Sequence, residues 1–197
     1  MARSAAARRA VVSSESEQLV LVDRFDQPKG FASKAACHDG DGMLHRAFSL
    51  FIFNDRGELL LQQRSGQKRL WPLFWSNSCC SHPRQGEELD DAIHRRLAQE
   101  LGMESQLEFV YKFQYQARFG PEGSENELCS VFLGRAAGDV HANENEIEAW
   151  RYVSPADLNA EMEAHPDRFT PWFKMEWERL NEEFGGRLEA YLSPPEA

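Results

Sequence analysis

The chain has 197 residues, with 32 acidic against 22 basic side chains, a formal net charge of -10 and a pI near 5.1. A domain that lives on phosphate-backbone contacts carries a basic excess or stripe, so this balance excludes a general nucleic-acid binder. With 42% apolar residues, five tryptophans and no apolar run near the roughly 18 residues of a membrane span, a single compact domain without a membrane span is expected.

Residues 1–17 are rich in Ala, Ser and Arg and hold no acid before Glu15. They lack the apolar stretch of a secretory signal and are short for a transit peptide, so a flexible tail is expected there. Gln18 to Asp23 reads as a first strand, opening a domain over 18–192. Ala47 to Phe53 and Glu58 to Gln63 are apolar runs separated by Asn54-Asp55-Arg56-Gly57, which is turn chemistry, so the two read as a hairpin. A helix is expected from about Glu87 to Leu101, stopped by Gly102. Strands near Phe109 to Arg118 and Glu127 to Arg135 flank a Gly-Pro-Glu-Gly loop, and Glu148 to Val153 makes another. The last element reads as a helix with Thr170 at its N-cap and Pro171 at its first position, Phe173, Trp177, Leu180 and Phe184 on one face, and Gly185-Gly186 at its end. Residues 193–197 read as a frayed terminus. The fold class is mixed α/β or α+β, a sandwich of sheet and helices. Four cysteines, Cys37, Cys79, Cys80 and Cys129, are few, and the adjacent pair makes only a strained ring, so free thiols in a reducing compartment such as the cytoplasm are expected.

Several side chains resist a purely structural account. At about 100° per residue, Leu89, Ala92, Ile93, Leu97 and Leu101 define one apolar arc of the middle helix, and Arg96 and Glu100 project into that arc. Either they form an i,i+4 ion pair on a half-covered face, or the helix lines a polar cavity in which Glu100 meets a hard cation and Arg96 an anion. Cys80 lies two residues before His82, ahead of that helix, and reads as a reactive thiol or as one more buried cysteine. His38 and His45 flank a glycine-rich loop that permits both imidazoles to face one point, though two solvated loop histidines fit the spacing equally. Glu125 and Glu127 fall on one side of a strand start, since side chains alternate with period two. With His82 these residues make a possible five-ligand N/O site for Mg²⁺ or a divalent transition metal. Lys34, Arg64, Lys68 and Arg96 are surface charges one by one and a diphosphate clamp if they converge.

In order along the chain, Lys34-x3-His38-x6-His45, Arg64-x3-Lys68, Trp75-x-Asn77-Ser78-x-Cys80-x-His82-Pro83, Glu100-Leu101-Gly102 and Glu125-Asn126-Glu127-x-Cys129 resemble the type I isopentenyl-diphosphate delta-isomerases, which are Nudix-fold enzymes. The resemblance covers roughly residues 18 to 185. Against the wider Nudix signature G-x5-E-x7-R-E-U-x-E-E-x-G-U, aligned on Arg95, the residues Glu87, Leu97, Glu100, Gly102 and Met103 match. Ser81 stands at the first glycine, Arg96 at the first core glutamate and Gln99 at the next, so two carboxylates that help hold hydrolytic metals are lost.

The resemblance implies a Nudix-like mixed sheet between helices and a 1,3-allylic isomerisation of isopentenyl diphosphate to dimethylallyl diphosphate, through a tertiary carbocation, in isoprenoid biosynthesis. It implies Cys80 and Glu127 as the proton carriers, with Tyr115 beside Glu127 and Trp172 facing the cation. It places His38, His45, His82, Glu125 and Glu127 around one divalent metal, Mn²⁺ or Zn²⁺, and Glu100 on a Mg²⁺. Lys34, Arg64, Lys68, Arg96 and Ser81 are implied to bind the substrate. The expected partner is the small prenyl diphosphate alone, on a monomer or weak homodimer. A Nudix hydrolase, and a catalytically silent metal-binding or scaffold domain, are the alternatives.

Overall fold

A computed structural model describes residues 10–193 as one mixed sheet covered on both faces by helices. The elements run β1 (Gln18–Val22), β2 (Pro28–Ser33), α1 (Lys34–His38), β3 (His45–Phe53), β4 (Leu59–Arg64), β5 (Trp75–Ser76), β6 (Cys79–Ser81), α2 (Leu89–Leu101), β7 (Leu107–Phe119), β8 (Gly123–Arg135), β9 (Ile147–Val153), α3 (Pro155–Ala164), α4 (Pro171–Glu183) and α5 (Gly185–Leu192). Among the described residues no helix is long and apolar enough to cross a membrane.

Strand β3 is the spine. Its residues alternate between the two faces, and both faces are buried, which is why the run reads almost continuously apolar. Phe48, Leu50 and Ile52 meet Ala92, Ile93, Leu97 and Leu101 of α2. Ala47, Phe51 and Phe53 meet Leu158, Phe173, Trp177, Leu180 and Leu188 from α3, α4 and α5. The rings of Phe51 and Trp177 stack with centroids 6.5 Å apart. At the end of α2, Gly102 adopts φ 68°, and its N–H closes on Ala98 O. A Cβ there would come within 2.7 Å of His141 Cβ, so glycine is required by both backbone and space.

The sandwich expected from the sequence is present, but several of its parts differ. The β3 and β4 runs share only the pair Phe53↔Leu59 and then part, so they are not a hairpin. β3 turns to β8 in parallel over nine pairs and to β6 antiparallel, while β4 pairs with β9. A fully buried spine stabilises more through two central neighbours than through one local turn. Gly185-Gly186 opens α5 instead of ending the helical region; Thr170 and Pro171 stand at the N-cap and first turn of α4 as expected, with the Thr170 hydroxyl paired to Ser76 Oγ at 3.0 Å and making no cap hydrogen bond. The short elements β2, α1, β5 and β6 and the weakly amphipathic α3 have no periodicity long enough to read.

The expected terminal boundaries also shift. Of the residues read as a flexible tail, 1–9 lie outside the described residues, as do 194–197 of the expected frayed end. Residues 10–17 are fastened to the body: Asn143 Nδ2 donates to Ala10 O at 2.9 Å, Arg96 Nη1 to Val12 O at 2.9 Å, and Lys34 N to Glu17 O at 2.8 Å. The physical reason is the set of donors beneath, whose need for acceptors is invisible in the segment's own composition.

Candidate active site

Each expected site residue is aimed by the element that carries it. Ser33 caps α1, its hydroxyl accepting from Ala36 N at 3.2 Å, and one turn of helix sets Lys34 and His38 on the same side. Gly40 and Gly42, at φ 57° and 77°, turn the chain back into β3, which begins at His45. The parallel register sets His45 opposite Glu127 of β8, and the antiparallel register sets Tyr115 of β7 opposite that same Glu127. On the other edge of β3, Cys80 of β6 lies opposite Ser49, and His82 follows directly. Cys80 and Glu127 therefore reach the site from the two strands that flank β3.

Three imidazoles and two carboxylates gather at the mouth of this arrangement. One ligand atom from each of His38, His45, His82, Glu125 and Glu127 lies within 4.8 Å of every other. Ligands at about 2.1 Å from a shared ion stand at most about 4.2 Å apart, so the group needs only a slight contraction to share one. The rings are already oriented: His38 Nδ1 donates to Lys34 O at 2.6 Å and His45 Nδ1 to Met43 O at 2.7 Å, leaving both Nε2 atoms inward. His45 Nε2 is buried without a hydrogen-bonding partner, and Glu125 Oε2 meets only the His38 ring, 2.8 Å from its Nε2. Buried polar atoms of this kind demand compensation, and a divalent ion supplies it, so the donor set fits a metal.

The electrostatics of this cluster are strongly coupled. Burial opposes a charge on His38, but the neighbouring Glu125 carboxylate wins and pushes the imidazole up to about 9. His82 is driven well below its ordinary range by burial and then by the neighbouring His45 and His38 rings. Burial works against ionised Glu125 and Glu127, yet both carboxyls are lowered, Glu125 by the His38 charge and Glu127 by the adjoining His45 ring, 3.7 Å away, and the Tyr115 hydroxyl. Tyr115 also donates to Glu127 Oε2 at 2.6 Å, while His82 Nε2 stands 2.8 Å from Oε1.

Beside the cluster opens a cavity of about 330 Å³, at the small end of ligand pockets. Cys80, Tyr115, Glu127 and Trp172 line it together with Lys34, Arg64, Lys68, Arg96 and Ser81. Arg64 holds the Trp71 and Leu70 carbonyls at 3.1 and 3.0 Å and stands 5.2 Å over the Trp172 ring. Burial pushes the Cys80 thiol up to about 12, so it carries its proton.

One expected residue sits differently. Glu100 does not line the cavity; its carboxylate is bound by Arg96 of the preceding turn and approached by Gln62 Nε2 at 3.5 Å. Of the two readings the α2 sequence left open, the i,i+4 ion pair is formed, and Arg96 nevertheless also reaches the cavity. No sequence pattern points to Glu146, which faces the same space and bonds Lys68 and Arg96, its carboxyl held near 2 against burial by those two charges. Its acid-rich loop looks like any solvated one. Gly123, at φ 145°, lets α1 close on β8: a Cβ would stand 2.2 Å from His38 O. Gly123→Ala is expected to cost at least about 2 kcal/mol in urea unfolding and to weaken metal affinity by displacing His38 from Glu125.

A NUDIX domain model matches residues 43–173. The isopentenyl-diphosphate Delta-isomerase of Paenarthrobacter aurescens is 43% identical over 169 residues, covering 84% of this chain and 91% of that protein. Isopentenyl-diphosphate Delta-isomerase 1 of Photorhabdus laumondii is 41% identical over 163 residues, covering 82% and 93%. A solved Deinococcus radiodurans protein superposes with a TM-score of 0.62 at 21% identity, over 76% of this chain and 90% of that one, a likeness of fold alone. Fold, domain model and relatives agree, and the chain belongs to the NUDIX-domain family of isopentenyl-diphosphate Delta-isomerases.

Proposed function

We infer that the chain interconverts isopentenyl and dimethylallyl diphosphate by adding a proton at one carbon and removing one from another. The observation that carries this is that Cys80 and Glu127, two groups able to carry a proton, line the same cavity as four cationic side chains, Lys34, Arg64, Lys68 and Arg96. Lys34, Arg64, Lys68 and Arg96 hold the diphosphate oxygens, and Ser81 adds a hydroxyl. The C5 unit then lies among Cys80, Glu127, Tyr115 and Trp172. Proton addition to the alkene leaves a tertiary carbocation, which the face of Trp172 stabilises while the enclosed site keeps water away. Cys80 and Glu127 exchange protons with the substrate, and Tyr115 fixes the Glu127 carboxylate through Oε2.

A divalent ion on His38, His45, His82, Glu125 and Glu127, Mn²⁺ or Zn²⁺ by ligand type, favours the ionised form of Glu127 when bound. Mg²⁺ at Glu100 is a conditional fit, since Arg96 must first turn from that carboxylate to an anion in the cavity. The chain is taken to act in the cytoplasm as a monomer or weak homodimer on this one small substrate, within isoprenoid synthesis. A hydrolase is disfavoured because Arg96 and Gln99 occupy positions where that chemistry uses carboxylates.

Incubation with isopentenyl diphosphate in heavy water, with Mg²⁺ and Mn²⁺ or Zn²⁺ supplied, is expected to give deuterated dimethylallyl diphosphate and no phosphate. Phosphate release without isomer exchange would overturn the reading. Lys34→Ala is expected to raise KM about tenfold with kcat nearly unchanged, the mark of an interaction made equally in ground and transition states.

A further inference from the structure

Behind Cys80, away from the cavity, lies a buried polar chain. Ser49 Oγ is 3.6 Å from Cys80 Sγ, Cys129 Sγ is 3.4 Å from Ser49 Oγ, and Glu176 Oε1 is 3.5 Å from Cys129 Sγ. Glu176 is fully buried on the apolar face of α4, and its second oxygen, Oε2, has no partner. None of the ion pairs among the described residues includes it. A carboxylate so placed would be a buried, uncompensated charge; burial, opposed by hydrogen bonds from Ser49 and Cys129 and reinforced by the Glu127 charge, pushes this acid up to about 8.

The other contacts of Cys80 make this chain matter. The thiol donates to Asn77 Oδ1 at 2.7 Å, and Asn77 is locked in that orientation because its Nδ2 donates to Leu50 O and Cys79 O at 3.1 and 3.2 Å. Oδ1 can only accept. When the S–H bond breaks and its proton forms a C–H bond with the alkene electron pair, the sulfur keeps a negative charge facing an acceptor. Reversal of the same step starts from that thiolate. Two hydroxyls stand near the sulfur, Ser49 at 3.6 Å and Ser76 at 3.9 Å; Ser76 directs its proton to Asn77 Oδ1 at 3.0 Å, so Ser49 is the one with a proton to offer.

We propose that Glu176 is a positioning residue of the isomerase: its protonated carboxyl, acting through Cys129, directs the Ser49 hydroxyl at the Cys80 sulfur. The acid donates to Cys129 Sγ, the Cys129 thiol donates to Ser49 Oγ, and the Ser49 proton is left for Cys80. An ionised Glu176 would reverse the order, drawing the thiol and hydroxyl protons toward itself and presenting Cys80 with a lone pair. The inference rests on Cys80 as a proton carrier.

The test uses the metal-loaded enzyme and five variants. Glu176→Met, which fills the space without a donor, and Ser49→Ala are each expected to lower kcat about 10- to 100-fold with KM within about twofold. The double variant is expected to be no worse than the poorer single one, because both cut one chain. Glu176→Gln, which keeps a neutral donor, is expected to restore most of the lost rate. Its activity relative to the parent is also expected to rise above pH 8, where the parent acid ionises. The titratable groups facing Glu176 are Cys129 and Glu127 on β8, Cys80 on β6 and Tyr111 on β7, and none is cationic. Unchanged kcat in Ser49→Ala, additive losses, or a flat Gln-to-parent ratio across pH would each overturn the proposal, and the first and last readouts stand even if Glu176→Met misfolds or folds poorly, since neither uses that variant. Cys80→Ala separates the premises: full activity there refutes the Cys80 assignment, whereas an inactive Cys80→Ala beside an indifferent Glu176 refutes only the chain.

Discussion

Glu127→Gln and Cys80→Ala are each expected to lower kcat at least about a thousandfold while leaving the fold intact. Glutamine keeps the size of Glu127 and still accepts from Tyr115, but it cannot carry a proton and is a poorer ligand for a divalent ion. Alanine at Cys80 removes one sulfur from the edge of a cavity, where little packing is lost. Both variants should therefore retain far-UV circular dichroism and unfold within about 1–2 kcal/mol of the parent. Tyr115→Phe serves as a comparison: it removes only the 2.6 Å hydrogen bond to Glu127 and should lose about one to two orders of magnitude. Retention of rate within tenfold in Glu127→Gln would move the second proton carrier to another group, with Glu125 next in line by position.

The parts of this site legible in the sequence are those fixed by local period or by order along the chain. Glu125 and Glu127 share a face because a strand alternates, and Arg96 and Glu100 stood out because they interrupt an apolar arc of α2. The same geometry applied to α4 places Glu176 among Phe173, Trp177 and Leu180, so its burial was readable by the rule that exposed Arg96. What that rule does not reveal is the partner. Ser49 and Cys129 lie on β3 and β8, and their approach to Glu176 depends on a parallel pairing far apart in sequence, just as the parting of β3 from β4 does. Likewise, residues 10–17 gain their order from Arg96, Asn143 and the α1 backbone, none of which leaves a trace in that segment.

Removing the metal is expected to abolish turnover and, on reloading, to expose the cluster's proton balance. Without an ion, His38 titrates near 9 because the charge of Glu125 outweighs burial, so at pH 7.5 it is largely protonated. A metal takes only the neutral imidazole, so loading at pH 7.5 should release close to one proton from His38. Calorimetric titration of Zn²⁺ or Mn²⁺ in two buffers of different ionisation enthalpy reads that number directly. Apparent affinity should rise about tenfold per pH unit toward 9 and flatten above it. Stability of the metal-free protein should move the other way. Its raised His38 contributes stability that is complete below the unfolded value of about 6.5 and is lost as pH rises through 9. Between pH 6.5 and 9, then, the thermal midpoints of metal-free and metal-loaded protein should diverge, because one loses its His38–Glu125 pair just as the other binds its ion more tightly. Midpoints that stay parallel across that window, with buffer-independent heats, would mean that His38 is not the proton the metal displaces.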